Sequence, residues 1–408
     1  MATRLRECRD CGLFQKVPLL GPGHVASCLR CEAVLRRGRH DPFNIPLALN
    51  LSGLVLLGVA CSMSVLQVRS AGMARTVDLI SGAASLDQYR MWELAFVVLF
   101  TTVVAPLVVL GGNAFVLAGL RLARPPQFLP RLFALTRPLR AWSMIEVYLV
   151  GVFIAYTRLR GLARTEIGAA LYALAALMVI MIAVDVWLDR QAVWEAIESR
   201  GLGRALKTAP QWAIGCEICG LASPSGTTYC PRCHSRLHRR KPYSVQRTWA
   251  LVIAAAILYV PANTYPVLSA TKLGRGGPST IIEGVIELLN HHLWPLALIV
   301  FLASIVVPIL KLIGLSTLLL TTQLGRTGRL IHRTKLHRVI ALVGRWSMID
   351  IFIGAVLVGL VQFGILATVA PGPGAIAFAA VVVLTMLASE SFDPRLMWDA
   401  AAPQEWRQ

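Results

Sequence analysis

The chain has 408 residues, of which 56% are hydrophobic and only 15% charged, whereas a soluble domain carries roughly a quarter charged residues. This excludes an ordinary soluble enzyme, a disordered chain and a secreted disulfide scaffold, and it points to a polytopic membrane protein. Forty Lys and Arg stand against 21 Asp and Glu, a formal charge of +19; such an excess suits nucleic acid or the orientation of a membrane protein, and only the placement of the charges decides.

Residues 1–44 are polar and basic and open with no apolar leader, so no signal peptide is expected. They carry Cys8, Cys11, Cys28 and Cys31 as two CxxC pairs. Each CxxC lets two thiolates grip one ion from a tight turn, and two such turns close a tetrahedral S4 site. Gly12 follows the first pair and permits the turn. The expectation is a small zinc ribbon with a purely structural ion, since four ligands leave no open position. Iron in the same geometry, dithiol exchange or disulfides are the alternatives. Cys61, in an apolar run, reads as a small buried hydrophobe.

Four apolar runs follow, near 45–67, 92–119, 142–157 and 167–188, each long enough or nearly so to cross about 30 Å of hydrocarbon. The polar stretch 189–247 holds a second set, Cys216, Cys219, Cys230 and Cys233, again with a glycine, Gly220, after the first pair. Four further runs lie near 248–268, 293–321, 346–369 and 374–389, and residues 391–408 read as a tail. The order is ribbon (1–44), four-helix membrane module (45–188), linker and ribbon (189–247), four-helix module (248–390). The fold class is thus mainly α, as two parallel repeats. RAWSMIEVYLVG (140–151) matches GRWSMIDIFIGA (344–355), and Trp92 and Pro106 match Trp294 and Pro308. An even number of spans per copy gives both copies one orientation.

With the N-terminus in the cytoplasm, 31 of the 40 Lys and Arg fall in cytoplasmic segments and 8 in outer loops, as the positive-inside rule favours. Both ribbons then face the reducing cytoplasm. The charge excess is an orientation signal and gives no reason to invoke nucleic acid. Basic clusters at Arg36, Arg37 and Arg39 and at Arg236–Lys241 suit anionic headgroups, although topology alone accounts for them.

The remaining cation is Lys311, inside the sixth span. Ser304, Pro308 and Lys311 recur at i, i+4 and i+7, on one helix face. Pro308 would free the carbonyl of Ser304. Lys311 either snorkels to the interface or pairs with Asp350, which opens the seventh span one turn after Ser347. An intramembrane ion pair marks a substrate or proton path by default, or else ties two helices together. In the first copy Glu146 matches Asp350, but Val109 replaces the lysine. The second half is therefore the expected active module. Pro261 and Pro266 frame Asn263 and Tyr265 in PANTYP, which either lines a cavity or ends the fifth span. A short amphipathic helix in TIIEGVIELLNHHLWP (280–295) is expected to lie on the membrane. There is no motif for ATP hydrolysis and no enzyme signature.

The duplicated CxxC ribbons, PANTYP, IVFLASIVVPILKL (299–312) and the WSMID/WSMIE repeats resemble the paraquat-inducible protein A family over nearly the whole chain. The resemblance implies an inner-membrane component of double-membraned bacteria. It implies an MCE-domain partner that forms a tunnel across the periplasm, and a role in moving phospholipid between membranes. With no ATPase motif, proton coupling through Lys311 and Asp350 is the expectation. A redox-responsive metalloprotein and a passive anchor for the MCE protein are the competing readings.

Overall fold

A computed structural model of the chain describes residues 3–18, 20–70, 73–160, 164–203, 213–272, 275–290, 292, 294–362 and 367–401. It is mainly helical, and among the described residues eight helices are long and apolar enough to cross a membrane. They are Asn44–Ser62, Trp92–Gly119, Leu129–Thr157, Ala169–Trp187, Ser244–Thr264, Trp294–Gln323, Leu330–Leu360 and Pro373–Ser391.

Four expected runs overshoot their helices at the end away from the ribbons. Residues Ser64–Ser70 form a strand between Met73–Asp78 and Arg164–Ile167, and Leu268–Lys272 does the same between Arg275–Ser279 and Ala367–Pro371. All pairings are antiparallel. Each sheet joins a hairpin between the first and second spans of its repeat to a strand between the third and fourth. In the first sheet Val65, Leu66 and Val68 of the strand that continues the apolar run are fully buried. A short apolar run does not distinguish a buried strand from the end of a helix.

The third and seventh spans begin earlier than their apolar runs. Helices Leu129–Trp142 and Leu330–Val343 are basic, and each is joined to an apolar helix through a break at the Trp-Ser-Met motif. In the second repeat the break is a 3-10 turn, Gly344–Met348.

The repeats meet through their third and seventh spans. Tyr148 packs edge to face on Phe352 with ring centroids 5.5 Å apart, and these two residues occupy equivalent positions. Contact between equivalent positions is what a two-fold axis requires, so the copies are parallel about an axis along the helices. Gly151 permits the approach: a Cβ there would lie 3.0 Å from that of Phe352.

Beyond the fourth and eighth spans the repeat continues. Asp189 accepts from the amides of Gln191 and Ala192 and caps helix Arg190–Ser199. Asp393 accepts from the amide of Arg395 at the start of Arg395–Ala400. The described part of the expected tail is therefore a packed helix, with Met397 and Trp398 buried; residues 402–408 lie outside the described residues.

Candidate metal centres and membrane polar sites

Each cysteine set converges to within 4.8 Å. In the first, Cys8 and Cys31 Sγ are 3.5 Å apart, as are Cys11 and Cys28; the second repeats this at Cys216–Cys233 and Cys219–Cys230. A disulfide would need about 2.05 Å. A tetrahedron of sulfurs at about 2.3 Å from zinc has edges of about 3.8 Å. The spacing fits an S4 metal site and not a bridge.

The four knuckles share one construction. The amides of Cys8, Cys28, Cys216 and Cys230 bond carbonyls five residues on, and the residue after each second cysteine bonds back to the first. That residue has positive φ at Gly12 (73°), Glu32 (59°), Gly220 (73°) and His234 (59°). The glycines were legible in the sequence. Glu32 and His234 carry the same conformation at a cost of about 1–2 kcal/mol. Outer contacts hold the sulfurs: Arg338 reaches Cys31 Sγ at 3.5 Å, and Ser235 Oγ lies 2.9 Å from Cys233 Sγ. Such groups orient ligands and offset the negative S4 charge. The residues present fit a structural zinc.

The ribbons dock on each other. Glu7 Oε2 accepts from the Gly215 amide at 2.8 Å, and Arg9 donates to Ile218 O at 2.8 Å. Arg395 joins them to the C-terminal helix, donating to Glu7 (3.2 Å), Glu217 (2.5 Å) and Asp393 (2.9 Å). Burial alone would lower the Arg395 pKa, but Asp393, Glu7 and Glu217 hold it above its ordinary value. The basic clusters expected to face lipid are partly spent here. Arg36 pairs with Glu195 at 2.9 Å, and Arg240 with Glu7 and Asp399. Carboxylates from the helices after the fourth and eighth spans reach them.

Inside the membrane the second span has a π-turn at Phe100–Val104 and the sixth has one at Leu302–Val306. These are equivalent positions, each just before a proline. The Val307 amide bonds Leu302 O, so Pro308 stands over Ala303 and not, as a regular helix would have it, over Ser304. In the first repeat the matching carbonyl, Thr101 O, accepts from Met144 N at the Trp-Ser-Met break. π-turns cluster at functional sites because they redirect side chains and carbonyls.

Lys311 is 2% exposed and donates to Thr385 Oγ1 at 2.6 Å; Thr385 in turn donates to Val382 O. The Lys311–Asp350 ion pair does not form. A Cβ on Gly344 would lie 3.5 Å from Lys311 Cε and Nζ, so the ammonium sits against the start of the break. Asp350 is six residues further on, about 9 Å along a helix. It lines a cavity of about 120 Å3 at the sheet end with Leu268, Glu287 and Phe378. Ser304 and Ser347 are buried, and Ser304 bonds Val300 O. Glu146 pairs with Arg140 at 3.6 Å and with Arg345 at 3.8 Å. The first repeat thus has its own cation near the motif, Arg140, at the position equivalent to Gly344. That exchange between helices hid it from a search for a matching lysine.

In PANTYP the helix runs through Pro261 to Thr264. Asn263 donates to Tyr259 O and Tyr265 N to Pro261 O, while the Tyr265 side chain is exposed. Pro266 O accepts from Gly374 N, which ties the fifth and eighth spans together at the sheet end. The segment ends the span. The expected amphipathic helix is present at Ile281–Asn290.

The family model described as paraquat-inducible protein A matches residues 43–198 and 245–402, one copy per repeat. The chain belongs to this family. It is 32% identical to the intermembrane transport protein PqiA of Escherichia coli (strain K12), over 98% of this chain and 96% of that protein. It is 30% identical to the lipophilic envelope-spanning tunnel protein A of the same organism, over 97% and 91% of the two chains. A probable intermembrane transport protein of Haemophilus influenzae is 28% identical over 97% and 96%. No solved structure matches. The chain is a multi-pass membrane protein.

Proposed function

We propose that this chain is the inner-membrane component of an intermembrane phospholipid transport system, loading lipid into or receiving it from a periplasm-spanning MCE-domain tunnel protein. The observation that carries this is similarity along the full length, in both repeats, to proteins named for intermembrane transport and for a lipophilic envelope-spanning tunnel. The ribbon end, where most of the basic residues gather, faces the cytoplasm, and the sheet end meets the tunnel protein. The zinc ribbons act as structural clamps that hold the two modules in register. Lys311, with Thr385 as its hydrogen-bond partner, carries the proton that couples the cycle, and Asp350 serves the sheet-end cavity. Buried intramembrane ionisable groups of this kind mark transport paths.

Co-expression of the chain with an MCE-domain protein, followed by purification through either partner, tests the reading. A stable complex that moves labelled phospholipid between vesicles supports it. A chain that forms no complex and transfers no lipid refutes it. A periplasm-active phosphatase fused after Gln408 is expected to be inactive; activity would reverse the orientation.

A further inference from the structure

At the ribbon end a cleft of about 720 Å3 opens between the two repeats, within the size range of small-molecule sites. Its walls are the ends of the third, fourth, seventh and eighth spans and one knuckle of each ribbon. None of the resemblances above assigns it a role.

The charges in it are nearly balanced: six Lys and Arg and five Asp and Glu line the space. Most of the cations are already satisfied. Arg338 pairs with Asp10 at 2.7 Å, Arg140 with Asp185 at 2.6 Å, and Lys241 donates to Glu390 O. Three have no carboxylate partner among the described residues: Lys241, which a carbonyl holds, and the pair Arg9 and Arg137. Arg9 and Arg137 both donate to Ile218 O, at 2.8 and 3.0 Å, and Arg137 also donates to Glu217 O. Two guanidinium groups meeting at one carbonyl leave spare N–H donors in a planar fork, the geometry that receives phosphate oxygens. The cleft also holds carboxylates with open faces: the side chains of Asp185 and Glu217 are 49% and 40% exposed. These suit a cation. The remaining lining is His337, Ser389 and apolar residues that include Ala341, Leu342 and Met386, and Leu342 is 57% exposed.

The geometry points to a binding site for a zwitterionic phospholipid headgroup of the phosphoethanolamine type. Its phosphate lies at Arg9 and Arg137, its ammonium at Asp185 and Glu217, and its acyl chains leave past Ala341 and Leu342. A site for a purely anionic headgroup would carry a large excess of cations; this one carries both signs. The inference deepens the transport reading and places lipid entry at the repeat interface, level with the inner headgroups. It is tested by binding, which does not require transport.

Delipidated full-length chain is titrated with phosphatidylethanolamine, phosphatidylcholine or phosphatidylglycerol in detergent, and bound lipid is counted by native mass spectrometry. Phosphatidylethanolamine is expected to bind best, because the methylated ammonium of phosphatidylcholine cannot donate hydrogen bonds. Arg137→Gln should weaken binding about tenfold, the loss of one charge-assisted contact. Ala341→Trp alters no ion pair and fills the acyl path from an exposed position, so it tests the site even if Arg137→Gln fails to fold. Inorganic phosphate is the competitor that separates lipid from free anion. The proposal is overturned if phosphatidylglycerol binds equally well, if Ala341→Trp binds phosphatidylethanolamine as the parent does, or if millimolar phosphate displaces it fully. Binding as expected in a chain that transfers no lipid would sink the transport reading and leave the site standing.

Discussion

Replacing Lys311 by methionine should separate stability from function, because the two respond in opposite directions. A lysine at the centre of a membrane helix costs about 2.5–3.5 kcal/mol on insertion scales. Against this the structure offers one hydrogen bond, to Thr385 at 2.6 Å, and a hydrogen bond to a charged group contributes about 1.5–3 kcal/mol. No carboxylate among the described residues pairs with it. The two terms nearly cancel, so Lys311→Met, which keeps the length of the side chain and loses the charge, should leave the fold unchanged or stabilise it by up to about 2 kcal/mol. Thr385→Val removes the acceptor and keeps the ammonium, and should destabilise by about 1–3 kcal/mol. Unfolding of both variants in detergent measures these terms; vesicle-to-vesicle lipid transfer measures function. Transport should be lost in Lys311→Met despite its stability. The relay reading fails if Lys311→Met transports lipid normally. If that variant instead unfolds by more than about 2 kcal/mol, the lysine is a structural strut and the cancellation above is wrong.

Other substitutions probe the joints between modules. Arg395→Leu leaves Glu7 and Asp393 buried without their main cation, and a loss of about 3–5 kcal/mol in unfolding free energy is expected; a loss under about 1 kcal/mol would mean that water replaces it. Asp393 shows the pH dependence. Burial alone would raise its pKa, but Arg395 and the amides of Lys241 and Arg395 hold it below its ordinary value of 3.8. Its stabilisation is therefore complete above that value and lost as pH falls through the lower folded value. The stability gap between the parent and Asp393→Asn should stay constant from neutral pH down to about pH 5 and shrink only as pH falls below 3.8; a gap that closes by pH 6 would assign the effect elsewhere. Gly344→Leu should drive the side chain into Lys311 and disrupt the break, whereas Gly344→Ala fits at ordinary contact distance; equal melting temperatures for the two would show that the lysine is free to move. Elemental analysis of the purified chain should find two zinc ions per molecule and little iron.

Eight spans and two S4 sites were legible because each signal is local. An apolar run of about twenty residues is long enough in itself, and CxxC spacing states its own geometry. What failed was register. The apolar run predicts a seventh span from 346, because LIHRTKLHRVIALV (330–343) is too basic to resemble a membrane helix. With that helix present, the hairpin after Gln323 turns earlier and Lys311 falls opposite Gly344, not Asp350. The sheet-end strands were missed for the opposite reason: they are apolar enough to pass for continuing helix. The equivalence of DRQAVW (189–194) and DPRLMW (393–398) is written in the sequence just beyond the fourth and eighth apolar runs.

The corrected register gives the second Trp-Ser-Met segment a particular place. Arg345 lines the ribbon-end cleft, Gly344 touches Lys311, and Asp350 lines the sheet-end cavities. Seven consecutive residues thus border both spaces and the buried ammonium between them. The matching residues of the first repeat stay on one side: Arg140 lines the ribbon-end cleft, and Glu146 pairs with Arg140 and Arg345. The pseudo-two-fold axis makes the scaffolds equal, and the placement of one cation makes them different. In the first copy the cation lies on the basic helix as Arg140, at an edge that water reaches; in the second it lies within the sixth span as Lys311, where water does not. Only a cation of the second kind has a charge state that the surrounding helices control, so the two halves share a scaffold but not the environment of their cation.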